Sequence, residues 1–182
     1  SFDPHGTLDP GAPVLLAYIY DTLVYQDTNG NILPSLAEGW TVSDDNLSIT
    51  FTLKPGIVFS DGSPFNADAV IFTYQRLQEN ATRSLIFRDV SNIAEFEKVD
   101  DLTVIFTLNE PSATLLSALT YAYAGILSPS AVEVAGESYG ENPVGTGPFM
   151  LDSWTPESEL TMVPNPLYAG HRPWVDVNGP PS

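Results

Sequence analysis

Segments that pair as β-hairpins limit the possible folds of this chain more than any other feature. Ser48–Leu53 alternates hydroxylated and apolar residues, with the period of two typical of a half-buried strand. A turn is predicted within 41–46. Residues 40–43 are therefore predicted to pair with Ser48–Leu53 as a hairpin. Residues 93–99 and 103–108 predict a second hairpin, and 149–154 and 159–163 a third. The fold is therefore expected to contain sheets built from strands that are neighbours in sequence.

Helical patterns alternate with these hairpins. Residues 14–25 carry Leu15, Ile19 and Leu23 at helical spacing, which predicts a helix. A second helix is predicted over 67–79. Asn66 would cap it, and Asp68 in its first turn would face the positive end of the helix dipole.

Three shorter elements complete the pattern. Short helices are predicted over 113–119 and 130–135, the latter capped by Ser130, and a strand is expected over 125–128. The fold class is therefore α+β.

Charge and cysteine content exclude several functions. The chain has 23 acidic and 6 basic residues and a net charge of −17. Six scattered cations cannot form the basic surface that binds nucleic acid, and anionic membranes are disfavoured for the same reason. Cysteine is absent, which excludes disulfides, thiolate metal sites and cysteine nucleophiles.

Catalytic and metal-binding motifs are absent from the sequence. His5 and His171 stand alone, outside any metal-ligand spacing, and each is expected to be a surface or hydrogen-bonding histidine. Neither a nucleophile elbow nor a phosphate loop is present. The Gly145-Thr146-Gly147 sequence is interpreted as a tight turn with at least one glycine at positive φ. The chain is therefore predicted not to be an enzyme, with no cofactor and no metal.

Ordered short motifs along the chain carry a family resemblance. They are 2–5 (FDPH), 20–24 (YDTLV), 34–38 (PSLAE), 50–59 (TFTLKPGIVF), 61–64 (DGSP), 101–104 (DLTV), 143–149 (PVGTGPF) and 165–168 (NPLY). In this order and spacing the chain resembles the family-5 extracellular solute-binding proteins of oligopeptide, dipeptide and nickel ABC importers.

The resemblance implies part of a bilobal, periplasmic-binding-protein-like fold. Residues 1–38 and 144–182 would form a discontinuous lobe I, and 39–143 a small inserted α+β domain. The chain is expected to be an N-terminal fragment that lacks the carboxyl-terminal lobe and a strand before Phe2. No apolar run approaches the roughly 20 residues that span a bilayer.

The function implied by the resemblance is capture of an extracellular solute, most simply an oligopeptide or dipeptide. The implied protein is a periplasmic or cell-surface monomer, lipid-anchored in its full-length form. It would deliver the solute to ABC permease subunits. The alternatives are a sensor or chaperone on the same fold, or an extracellular hydrolase, which would need a cluster of carboxylates with strongly perturbed pKa values.

The resemblance also implies a ligand-binding segment after the Asp-Pro-His turn. Thr7, Leu8, Asp9 and Pro10 lie there, and their backbone could pair with an extended peptide. Tyr121 and Tyr123 lie where the inserted domain turns back, and could form an aromatic wall of the cleft. A solvent loop is the alternative for the first segment, and core packing for the two tyrosines.

Overall fold

Period-two sequences form the central sheet, as predicted. The structure is a computed structural model and describes residues 1–7, 9, 11–80, 84–156 and 158–172. The helices within these ranges are α1 (Ala12–Ile19), α2 (Ala67–Asn80), α3 (Phe87–Val90), α4 (Leu115–Ala118) and α5 (Pro129–Ala135). The strands are β1 (Val24–Gln26), β2 (Ile32–Pro34), β3 (Ala37–Val42), β4 (Ser48–Leu53), β5 (Ile93–Asp100), β6 (Thr103–Leu108), β7 (Phe149–Thr155) and β8 (Glu159–Pro164).

The largest sheet is antiparallel, with the strand order β3-β4-β6-β5. Alternation along β4 buries Ile49, Phe51 and Leu53, and alternation along β6 buries Val104 and Phe106 on the same face. Helix α2 covers this face, where its Tyr74 ring lies 5.4 Å from the Phe106 ring in an edge-on contact. Mixed helix and sheet content confirms the α+β class.

All three predicted hairpins form, as β3–β4, β5–β6 and β7–β8. Helix α2 begins where predicted, and its cap is confirmed because the Asn66 Oδ1 atom accepts a hydrogen bond from the Ala69 N–H at 3.1 Å. None of the helices within the described ranges combines the length and apolarity needed to cross a membrane.

The prediction of one helix over 14–25 is wrong at its second half. Helix α1 ends at Ile19, and Tyr20 is extended. The chain then forms β1, which pairs with β2 across a turn at 27–30. Val24 begins this strand and Leu23 precedes it, and both are buried, so their apolar character does not continue a helix face.

Two shorter expectations also need correction. No strand forms over 125–128, where the chain runs extended and its Ile126 N–H donates to the carbonyl of Asp21 at 2.9 Å. Helix α5 is capped by Ser128 and not by Ser130. Pro129 is the first residue of the helix, where a missing N–H is tolerated. The cap is therefore the residue directly before it, Ser128.

The turn at 145–147 adopts a different conformation from the predicted one. Positive φ occurs at other glycines, and neither Gly145 nor Gly147 has it. Both are instead required by close backbone contact with helix α1. A Cβ atom on Gly145 would lie 2.1 Å from the carbonyl oxygen of Ile19, and one on Gly147 would lie 2.5 Å from that of Tyr18.

Hairpin β7–β8 forms its own two-stranded sheet beside α1. Tyr18 of α1 meets Phe149 edge-on at 5.6 Å between ring centres, and Phe2 meets Trp154 in the same way at 5.1 Å. Hairpin β7–β8 therefore packs on the N-terminal segment, whereas β3 to β6 form a separate sheet. The division into 1–38, 39–143 and 144–182 stays a prediction.

Candidate functional site

The Asp-Pro-His turn is fixed by an arginine of helix α2 that lies 73 positions away in sequence. Both oxygens of Asp3 accept hydrogen bonds from Arg76 of α2, at 3.0 and 2.6 Å. The Asp3 carbonyl accepts from the Gly6 and Thr7 N–H groups, which closes the turn. Burial alone would raise the pKa of Asp3, but hydrogen bonding and charge from Arg76 outweigh it and lower the pKa. A bidentate pair of this kind fixes orientation as well as position.

His5 is held against the same arginine in its neutral form. Arg76 Nη1 lies 2.9 Å from His5 Nδ1, and arginine can only donate, so Nδ1 accepts and the proton resides on Nε2. Burial and the Arg76 charge lower the pKa of His5 to about 3. The Arg76 guanidinium also lies 6.0 Å from the centre of the Tyr139 ring. The expectation of a hydrogen-bonding histidine holds, and the residue is buried.

The predicted binding segment follows this turn directly. Thr7 is buried and its hydroxyl accepts a hydrogen bond from the Asp9 N–H at 3.3 Å. Asp9 is exposed, and its Oδ1 atom accepts from the Gly11 N–H at 2.8 Å just before α1 begins. Leu8 and Pro10 lie outside the described residues. The segment therefore leads from an anchored turn into a helix, with the Asp9 side chain at the surface.

The two predicted tyrosines differ in exposure. The side chain of Tyr121 is 57% exposed, whereas that of Tyr123 is only 8% exposed and belongs to the core. Between them begins a 3-10 turn, Ala122–Ala124, which packs against α1. This packing places the turn against the helix that begins directly after the predicted binding segment.

A buried carboxylate just after α1 connects this helix to residues 146, 171 and 172. The Asp21 side chain is fully buried and accepts hydrogen bonds from Thr146 at 2.8 Å and from His171 at 2.7 Å. It also pairs with Arg172 Nε. Burial would raise the pKa of Asp21, but the charge of Arg172 and the hydrogen bonds of His171 and Thr146 lower it.

Arg172 also caps helix α1. Its Nη1 and Nη2 atoms donate to the carbonyls of Ala17 at 2.8 Å and Tyr20 at 2.7 Å. A cation here satisfies terminal carbonyls and opposes the negative end of the helix dipole. The arrangement anchors the chain after β8 to the C-terminal end of α1 and so positions the helix.

Buried tyrosines complete the anchoring. Tyr139 donates to the Val144 carbonyl at 2.8 Å, and its hydroxyl lies 3.2 Å from that of Tyr20. Burial raises the pKa of both phenols, which stay protonated. The buried ionisable groups of the described residues thus hold structure together. Within those residues no group of three side chains is arranged to hold a metal ion.

The sequence led us to predict ligand contacts at the segment after His5 and at the two tyrosines, which stay predictions, but it gave no role to the residues that anchor the turn and helix α1. Asp21, Arg76 and Arg172 received no role, because their partners are 73 and 151 positions away in sequence. One signal was available. In a chain with six cations and 23 acidic residues, an arginine in the middle of the apolar pattern of α2 needs a buried carboxylate partner.

The chain is similar in sequence to known proteins of one family. The family model "Bacterial extracellular solute-binding proteins, family 5 Middle" matches residues 31–177. The glutathione-binding protein GsiB of Salmonella typhi is 36% identical over 154 residues, which cover 85% of this chain and 30% of GsiB. The chain therefore spans about a third of the length of the relatives that it matches.

Solved structures of periplasmic binding proteins share the fold. OppA of Haemophilus influenzae, in complex with the peptide RPPGFSPFR, gives a TM-score of 0.84 at 26% identity, covering 94% of this chain and 37% of OppA. AgaA of A. tumefaciens R10, in complex with agropinic acid, gives 0.85 at 26% identity, covering 93% of this chain and 34% of AgaA. The chain corresponds to one part of such a protein.

Proposed function

This chain belongs to the bacterial extracellular solute-binding proteins of family 5, and we propose that it serves an ABC importer by capturing an oligopeptide or dipeptide outside the cell. The captured solute would pass unchanged to permease subunits in the membrane. The protein would work as a monomer in the periplasm or at the cell surface, held there by a lipid anchor. It would use no cofactor and carry out no covalent chemistry.

The exposed face between the N-terminal segment and the 3-10 turn carries this proposal. Asp3 and Arg76 anchor the segment that contains Thr7 and Asp9, and Tyr121 stands exposed after α4. We expect the backbone of this segment to bind a peptide through main-chain hydrogen bonds, and the Tyr121 ring to contact the same peptide. Tyr123 would support this wall from the core, and Leu8 and Pro10 are included in the proposed contact.

Peptide is favoured over other solutes by the similarity to OppA, whose structure contains one. Agropinic acid in AgaA provides the rival solute class. Because productive ligand sites bury most of the ligand, a site open on one side should bind peptide weakly, with a Kd on the order of 1 mM.

Amide chemical shifts of the isotope-labelled chain, measured by NMR during titration with di- and tripeptides, test the proposal. The expected shifts are at residues 6–11 and at Tyr121. Tyr121→Ala should weaken binding, whereas Val134→Ala, which truncates a side chain that is 89% exposed on α5, should not. Tight binding, no binding, or shifts confined to other surfaces would contradict the placement of the site.

A further inference from the structure

Tyr121 also lines a concave surface that is formed by residues outside the proposed peptide site. It is a groove of about 570 Å³ between residues 88–92 on one side and 110–118 on the other. Its volume lies within the range of about 300–1,000 Å³ found for ligand sites. Because Tyr121 belongs both to the groove and to the proposed peptide site, a ligand that extends past this ring enters the groove.

The walls of the groove are held by hydrogen bonds between them. The Asn92 side chain donates to the Glu110 carbonyl at 2.8 Å and accepts from the Glu110 N–H at 3.2 Å. Thr114 donates its hydroxyl to Asp89 Oδ1 at 2.5 Å. A groove fixed in this way loses little conformational entropy when a ligand binds, which favours affinity.

Charged groups along the groove remain available to a ligand. The Glu110 side chain is exposed, and so is Arg88, while Asp89 is half-buried with one oxygen used by Thr114. The groove thus carries two carboxylates and one guanidinium, and the whole chain has a net charge of −17. Both the local and the overall field attract a cation.

We propose, on the premise of the peptide-binding function above, that this groove is a subsite for the distal part of an oligopeptide and prefers a basic side chain there. Tyr121 contacts the peptide where it leaves the first site. The carboxylates of Glu110 and Asp89 then face its lysine or arginine. A dipeptide is too short to use the groove and occupies only the first site.

Four peptides distinguish the two sites in NMR titrations of the chain. Three are alanine pentapeptides with Lys, Gln or Glu at the fourth position, and the fourth is Ala-Ala. We expect the Lys peptide to shift the amides of Asn92, Glu110 and Ser117 and to bind about two- to fivefold more tightly than the Gln peptide. Ala-Ala should shift only residues 6–11 and Tyr121.

Matched variants assign the preference to the groove. Glu110→Gln should remove most of the difference in affinity between the Lys and Gln peptides. Glu133→Gln removes the same charge from an exposed position on α5 and should change neither affinity.

Three outcomes would overturn the subsite. They are equal affinity for the Lys and Gln peptides, a preference for the Glu peptide, or the Lys peptide leaving the groove amides unshifted while residues 6–11 respond. All three outcomes leave the proposed function standing, since peptide still binds the chain. If none of the four peptides binds, including Ala-Ala, the proposed function fails together with the subsite.

Discussion

Gly145 and Gly147 are two residues at which a single added methyl group should destabilise the fold. Gly147 donates its N–H to the Ile19 carbonyl at 2.8 Å, and the Gly145 carbonyl accepts from the Ser60 N–H at 2.9 Å. The first bond holds the 145–147 backbone against the end of α1, and the second holds it against residue 60. Added methyl groups would collide with backbone atoms, which cannot rotate away as a flexible side chain can.

Alanine at either glycine should therefore destabilise the fold by about 1–3 kcal/mol, the usual cost of overpacking. Chemical denaturation of Gly145→Ala and Gly147→Ala measures this loss. Gly39→Ala is the matched control, because a Cβ there meets nothing within 4 Å, and its stability should stay within about 0.5 kcal/mol of the parent. Equal stability of all three variants would contradict the steric account.

His5 makes stability depend on pH at the residue scale. Its pKa is about 3 in the folded chain, against an ordinary value of 6.5 when unfolded. The folded state keeps His5 neutral, while the unfolded chain takes up a proton below pH 6.5. The contribution of His5 is therefore complete above that pH and is lost as pH falls from 6.5 towards 3.

Between pH 7 and pH 5 the free energy of unfolding should fall by about 2 kcal/mol through His5. Asp3 and Asp21 have lowered pKa values, so their contributions are lost only nearer the ordinary value of 3.8 and below it. Urea denaturation across this window measures the slope. His5→Asn should flatten the slope, and an unchanged slope in that variant would show that His5 does not titrate on unfolding.

At the scale of elements, hairpins and helix α2 were predictable because their signals are local. The alternation in β4 and the Asn66 cap depend on neighbouring residues. The end of α1 was not predictable in the same way. Residues 20–24 continue an apolar pattern, but the helix ends before them. Asp21 forms hydrogen bonds there with Thr146, His171 and Arg172. The sequence around Asp21 does not indicate which distant residues are its partners.

Helix α5 shows how the choice of a cap depends on its surroundings. Ser128 is fully buried, accepts from the Ala131 N–H at 3.2 Å and donates to Asp61 Oδ2 at 2.9 Å. Ser130 is exposed and lies 3.5 Å from the same oxygen. Two neighbouring serines thus differ in role because only one reaches the helix N–H.

Ser128→Ala should lower the free energy of unfolding by about 1–2 kcal/mol, since it removes the cap and one donor to Asp61. Ser130→Ala serves as its control and should stay within about 0.5 kcal/mol of the parent. Thermal melts of both variants distinguish the roles. A larger loss of stability in Ser130→Ala than in Ser128→Ala would support Ser130 as the cap, as predicted from the sequence alone.

At the scale of the whole molecule, ion pairs between distant segments hold the proposed binding surface in place. Arg76 anchors the N-terminal turn from α2, and Arg172 anchors α1 from the chain after β8. The resemblance of ordered motifs was enough to predict the family, which the family match confirms. The motifs could not predict the ion pairs of Arg76 and Arg172, because the partners come together only in the folded chain. The proposed contacts at Thr7, Asp9 and Tyr121 stay predictions.

Mass spectrometry of the small molecules bound to the protein, purified under native conditions from its own cells, tests the solute-capture proposal most directly. Family membership and the exposed surface beside α1 lead us to expect intact oligopeptides or dipeptides, released when the protein is denatured. Opines, sugars or products of hydrolysis in their place, or no bound solute at all, would contradict it.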